Sequence, residues 1–139
     1  MTRVLLDTNV LIDFITERTP FFHSAEKIFL LCRNEDICGC IAAHSITNAL
    51  YILRRNYTLD ERREMLLGIC DLFDIVGIDK QKLICMLENK DFSDLEDCLQ
   101  SECAAEYKAD FIITRNVKDF AASMVPVITP SEFLEQFVK

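Results

Sequence analysis

The sequence has 139 residues, half of them apolar, and a formal net charge of −8. That length suits a single domain over residues 1–139 with one real core, since a chain of this size buries roughly two-thirds of its surface on folding. The acidic balance argues against broad, nonspecific attachment to nucleic acid, because a phosphate backbone favours a basic face.

Arg3-Val4-Leu5-Leu6 reads as a buried strand that runs into an acid, Asp7. Asn9 to Ile15 continues with apolar spacing as a short helix, and Thr19-Pro20 breaks it, since a residue before proline avoids the helical region. His23 to Arg33 carries Ala25, Ile28, Phe29 and Cys32 at helical spacing. Ile37 to Ala42 is a second strand candidate. Ser45 to Arg55 is helical, with Ile46, Ala49, Leu50 and Leu53 on one face. Thr58 to Glu61 fits a capping box, in which the two side chains satisfy free amides at a helix start, and this helix runs to about Phe73.

Ile75 to Ile78 is a third strand candidate, followed by a short helix over Gln81 to Glu88. Ser93-Asp94-Leu95-Glu96 reads as a second capping box and opens a helix to about Lys108. Phe111 to Thr114 is a compact β-branched strand, and Val117 to Ala122 forms a turn of helix. Val125 to Ile128 is an edge strand, because Pro126 cannot serve a central ladder. Pro130 starts a last helix with Phe133, Leu134 and Phe137 as its apolar face. Strands alternate with helices, and most strands lack polar alternation. That pattern predicts an α/β fold with a mostly parallel sheet covered on both faces. Sites in such sheets form outside the carboxyl ends of strands, which singles out Asp7 and Asn116.

No linker, repeat or biased segment interrupts the chain. Its longest apolar runs are far too short to cross a membrane. Neither a signal-peptide apolar region nor a cleavage site is visible, so the expected location is cytoplasmic. Seven cysteines, an odd number without a C-x-x-C pair, read as reduced core residues. His23 and His44, the only histidines, suggest no general-base pair and are assigned to surface or local hydrogen bonds. Arg54-Arg55, Arg62-Arg63 and Arg115 could meet phosphates, although paired arginines on a helix are more often a solvated face. There is no Gly-rich phosphate loop and no G-x-S-x-G elbow.

Three acids stand out. Asp7 ends the first strand, while Asp94 and Asp97 are three apart on one helix and share a face near its N-terminus. Two carboxylates ~4 Å apart repel by about 4 kcal/mol at an effective dielectric near 20, well above the roughly 0.3–1 kcal/mol a helix dipole returns. If the acids converge, a cation is the natural compensation, and an all-oxygen set selects Mg²⁺ or Mn²⁺. Spacing alone leaves a second account open: Asp94 and Asp97 are also favourable helix caps without any metal.

The segments Leu6-Asp7-Thr8-Asn9-Val10-Leu11-Ile12-Asp13, Phe92 to Gln100, Ala109 to Phe120 and Thr129 to Phe133, in this order, resemble the motifs of PIN domains along nearly the whole chain. The resemblance implies a three-layer α/β/α sandwich and a Mg²⁺- or Mn²⁺-dependent endoribonuclease, commonly the toxin of a toxin–antitoxin pair. RNA is then the substrate, and an antitoxin protein and a second copy of the chain are the partners to expect. Carried over by position, Asp7 and Asp97 are metal acids and Asp94 is their neighbour. Asn116 stands in the catalytic loop position, with Asn9, Thr114 and Asp119 in support. The family usually places a further acid on the helix of Ser45 to Arg55, where Asn48 stands here. An amide binds metal through oxygen but brings no charge. The alternative is therefore a catalytically impaired PIN-fold module that binds RNA or protein. A phospho-acceptor domain also sets an Asp after a strand, but the Asp94/Asp97 pair fits it poorly.

Overall fold

In the computed structural model, which describes residues 1–137, the chain starts with β1 (Arg3–Leu6), whose Val4, Leu5 and Leu6 are fully buried. Asp7 follows at once and caps α1 (Thr8–Ile15), its carboxylate accepting from the Thr8 amide at 2.8 Å. Then come α2 (Phe22–Arg33), β2 (Cys38–Ala42) and α3 (Ala43–Ile52), the last ending in a 3₁₀ turn, Leu53–Arg55. α4 (Leu59–Leu72) opens with the expected reciprocal cap between Thr58 and Glu61. β3 (Asp74–Val76), α5 (Lys80–Glu88), α6 (Leu95–Tyr107), β4 (Phe111–Ile113), β5 (Val127–Ile128) and α7 (Pro130–Phe137) complete the order.

The expected capping box at Ser93 is corrected by one residue. The cap of α6 is Asp94, whose carboxylate accepts from the Glu96 amide at 2.8 Å and the Asp97 amide at 3.4 Å. Ser and Asp both cap well, and here the longer carboxylate takes the two free amides.

The sheet order is β3-β2-β1-β4-β5, and every pairing is parallel. β5 is an edge strand, as Pro126 requires. The period of two along a strand divides β1 between two cores. Val4 and Leu6 join Val10, Ile28, Phe29 and Phe133 on the face covered by α1, α2 and α7. Leu5 joins Phe92, Cys103, Ala104 and Phe120 on the face covered by α6. The result is the three-layer sandwich the sequence pattern implied. Gly39 is the one position in β2 where no side chain fits, because a Cβ would lie 2.8 Å from both Cys32 and the Phe73 ring. All seven cysteines are free; four are buried, while Cys70 is exposed and so departs from the core assignment. No helix among the described residues is long and apolar enough to cross a membrane.

β1 continues to β2 on one side and adjoins β4 on the other, so the order reverses between β1 and β4. The carboxyl ends of these two strands flank a topological switch point, the usual place for a site in an open parallel sheet. Asp7 ends one strand and Thr114 the other.

Candidate functional site

Asp7 lies buried at this switch point, 6% exposed. Its Oδ2 accepts from Thr114 Oγ1 at 2.7 Å, and its Oδ1 from Gln100 Nε2 at 3.2 Å as well as from the Thr8 amide. Thr114 is fully buried and is itself held by Asn9 Nδ2 at 3.2 Å and the Asn116 amide at 3.0 Å. Asn116 thus enters the site through its main chain. Ser45, at the start of α3, closes the network: it accepts from Thr8 Oγ1 and from Gln100 Nε2, both at 2.8 Å.

Above this floor is a cavity of about 320 Å³. Asp7, Asp97, Glu96, Asn48, Asn9 and Asn116 contribute to its walls, together with Arg18 and Arg115. Two carboxyl groups in it are electrostatically strained. Burial raises the Asp7 carboxyl above the ordinary carboxylate range. Asp97 is pushed up to about 7, first by burial and then by the negative charges of Asp7, Asp94, Asp119 and Glu96. These like charges act on Asp97 from several parts of the sequence and disfavour its ionisation.

The expected residues divide into three groups. Asp7 and Asp97 meet at the cavity, supported by Thr114, Asn9, Asn116 and Asn48. Asp94 is not among the residues lining the cavity: it is exposed and its carboxylate is engaged in capping α6. Among the described residues, no three His, Cys, Asp or Glu side chains gather closely enough to hold a metal ion by themselves. Asp119 is exposed on the 3₁₀ turn after β4 and acts on Asp97 only through its charge.

Asn48 lines the cavity, and its Nδ2 donates to Glu96 Oε2 at 3.1 Å. A third carboxylate, on α6, is thereby tied to the amide on α3. His44 departs from the assignment to surface or local hydrogen bonds. Both ring nitrogens are buried without a partner, and burial lowers its pKa, which favours the neutral ring. Of the paired arginines, Arg54 stacks on Tyr51, Arg62 donates to Leu50 O and Arg63 pairs with Asp60; none of them lines the cavity.

Two contributors escaped the sequence reading. Gln100 is 1% exposed and bridges Asp7, Thr8 and Ser45, leaving Oε1 buried without a partner. It lies three residues after Asp97, on the same helix face, and that spacing was the available signal. Glu96 was read only as part of a cap.

The donor set fits a hard divalent cation. It offers two carboxylates whose ionised forms are disfavoured, Asp7 by burial and Asp97 by burial and by the charge of Asp7, a third on Glu96, and amide oxygens, with neither thiolate nor imidazole among them. Mg²⁺ is commonly held by only one or two carboxylates and keeps several waters, so the lack of a three-acid cage does not conflict with it. A larger groove lies elsewhere. At about 570 Å³ it runs between α1, α2 and α4 and is lined mainly by apolar residues, Phe14, Phe22, Phe29, Leu30, Met65 and Leu72 among them, together with Glu17, Glu26 and Arg33.

Comparison with known proteins agrees with this fold. A family profile described as PIN domain matches residues 3–118. No curated protein sequence matches. Among solved structures, VapBC2 from Rickettsia felis, bound to a DNA fragment from their promoter, is similar with a TM-score of 0.69 at 15% identity, over 92% of this chain and 98% of that one. A toxin–antitoxin complex from Klebsiella pneumoniae gives 0.68 at 23% identity, over 91% and 97%. FitAcB from Neisseria gonorrhoeae gives 0.69 at 17% identity, over 92% and 98%. At these identities the structural likeness speaks for the fold.

Proposed function

The chain belongs to the PIN domain family, and from that premise we propose that it is a Mg²⁺- or Mn²⁺-dependent endoribonuclease, the toxin of a toxin–antitoxin pair. The observation that carries this reading is the pair Asp7 and Asp97, converging on one cavity with both carboxyl groups raised in pKa. A protein gains nothing in stability from such a pair, and a bound cation relieves it.

A divalent ion there would supply Lewis-acid chemistry, making a water more acidic and offsetting phosphate charge. Asp7 and Asp97 would hold the ion, while Glu96 would add charge beside them. Thr114, Gln100 and the Thr8 amide fix the Asp7 carboxylate so that it does not reorient on binding. Asp94 keeps α6, and with it Asp97, in place through the cap.

The impaired-module reading rests on Asn48. The Asn48–Glu96 hydrogen bond weakens it, since the cavity retains a third acid. The partner half of the proposal is supported by the similar toxin–antitoxin complexes, and the groove between α1, α2 and α4 offers such a partner a mainly apolar surface that also carries Glu17, Glu26 and Arg33.

The test is cleavage of labelled single-stranded RNA in Mn²⁺ by the wild type and by Asp7→Asn. Loss of a ligand charge at almost constant volume lowers cleavage by about a hundredfold or more, with the fold retained by melting. Full activity of Asp7→Asn sinks the mechanism.

A further inference from the structure

We propose that Arg18 and Arg115, gathered on the Phe21 ring, form a phosphate-binding wall that guides the backbone of a single-stranded RNA out of the acidic cavity. The inference rests on the ribonuclease reading and names the residues by which a chain of net charge −8 holds its polyanionic substrate.

The cavity has two chemistries. Its acidic part is Asp7, Glu96 and Asp97; its basic part is Arg18 and Arg115. The two arginines are far apart in sequence, and one residue, Asp13, organises both. Asp13 is 1% exposed. Its carboxylate receives Arg115 as a fork, Nε to Oδ2 at 2.6 Å and Nη2 to Oδ1 at 3.2 Å. Its main-chain carbonyl accepts from the Arg18 amide at 3.0 Å, and the Arg18 carbonyl in turn accepts from the amides of Phe21 and Phe22. This turn brings the Phe21 ring beneath both guanidinium groups, 4.3 Å from that of Arg115 and 5.7 Å from that of Arg18.

The fork leaves donors free. Among the described residues, Nη1 of Arg115 has no hydrogen-bond partner, and the Arg18 guanidinium has neither an ion pair nor a hydrogen bond. A planar guanidinium that is already oriented loses little entropy when it binds phosphate oxygens. An arginine needed only to neutralise Asp13 explains Arg115 but not Arg18.

Arg115 also borders a second cavity of about 390 Å³, lined by Phe21, Ser24, Thr129 and Ser131. It therefore stands between the acids and a hydroxyl-bearing depression, where the strand continues past the cleaved bond. Sequence-independent phosphate contacts of this kind position a nucleic acid without reading its bases.

The experiment measures the kinetics of cleavage of a fluorescein-labelled oligoribonucleotide in Mn²⁺, and its binding by anisotropy, over a range of salt. Arg18→Gln, at an exposed side chain, raises KM about tenfold, more than it lowers kcat. It also reduces the slope of log affinity against log salt by about one. Arg115→Lys keeps the charge beside Asp13 but loses the fork and the planar stack, and it moves KM in the same direction. Melting temperatures check that both variants fold. Arg63→Gln, outside the cavity, leaves KM and the salt slope unchanged. Wild-type KM and slope in Arg18→Gln overturn the wall, as does an equal effect of Arg63→Gln, which would reduce it to net charge. A wild type that neither binds nor cleaves the RNA removes the ribonuclease reading and the wall with it, whereas a cleaving wild type with indifferent arginine variants removes the wall alone.

Discussion

Replacing Asp97 by Asn should make the metal-free protein more stable. The Asp97 carboxyl is pushed up to about 7 from an ordinary 3.8 by burial and by the charges of Asp7, Asp94, Asp119 and Glu96. At about 1.4 kcal/mol per tenfold, that displacement corresponds to at most about 4 kcal/mol against the ionised, folded state. Asp97 keeps some contact with water, and screening reduces the figure to about 1–2 kcal/mol. Asn has the same shape and no charge. For a domain of this size the gain is about 3–8 °C in melting temperature.

The sign and the pH window follow from the direction of the displacement. Below about 3.8 the group is protonated whether folded or not, and the wild type carries no penalty. As pH rises from 3.8 through 7 the folded protein gives up a proton it holds more tightly than the unfolded chain, and stability falls. Above 7 the loss is complete. Melting curves in EDTA at pH 8 should therefore separate Asp97→Asn from wild type by the full amount, and the gap should narrow as the pH falls toward 4. Millimolar Mn²⁺ should reverse the order, because the wild type binds the ion and gains stability by mass action. A variant that melts at or below wild type at pH 8 in EDTA would refute the argument: the carboxylates would not be in conflict, and the need for a cation would disappear.

Asp94 separates capping from ligation. Asp94→Ala should cost about 1 kcal/mol in urea unfolding, whereas Asp94→Asn, also a good cap, should cost little and retain most RNA cleavage. Gln100→Leu removes one donor each from the buried Asp7 Oδ1 and Ser45 Oγ, and should cost about 1–3 kcal/mol by urea titration. An unchanged midpoint would mean that Gln100 does not hold Asp7. Asn48→Glu replaces the Asn48–Glu96 hydrogen bond by two facing carboxylates, so it should lower the melting temperature in EDTA and raise Mn²⁺ affinity by calorimetry. No change in either would place residue 48 outside the site.

The parts of the site that were legible are those announced by a local contrast. A run of apolar residues ending in Asp7 marks a central strand and its carboxyl end together. The acidic start of α6 was equally visible, but its division of labour was not. Asp94 and Asp97 carry the same group three residues apart, and only the helix start, at Leu95 instead of one residue earlier, decides which caps and which faces the cavity. Gln100 was overlooked for a different reason. A neutral amide on a helix resembles a solvated residue until its burial is known, and burial here comes from β1 and α3, which are distant in sequence. The arginines show the same limit in reverse. Arg62 and Arg63 are conspicuous as a pair, yet one turns to a main-chain carbonyl and the other to Asp60.

The acidic chain and a polyanionic substrate are reconciled by how locally the charges act. At physiological salt, exposed charges beyond about 8 Å are largely screened, so the excess of acids elsewhere on the surface counts for little at the cavity. What counts is the arrangement there. Carboxylates that repel one another when ionised become, with a cation between them, a centre that attracts phosphate. Arg18 and Arg115 stand at the same cavity, one of them fixed by the buried Asp13. On the proposed reading, net charge −8 works against indiscriminate attachment to nucleic acid while leaving one place where a phosphodiester would be welcome. Because that place would depend on the cation, attraction of substrate and readiness for chemistry would rise and fall together.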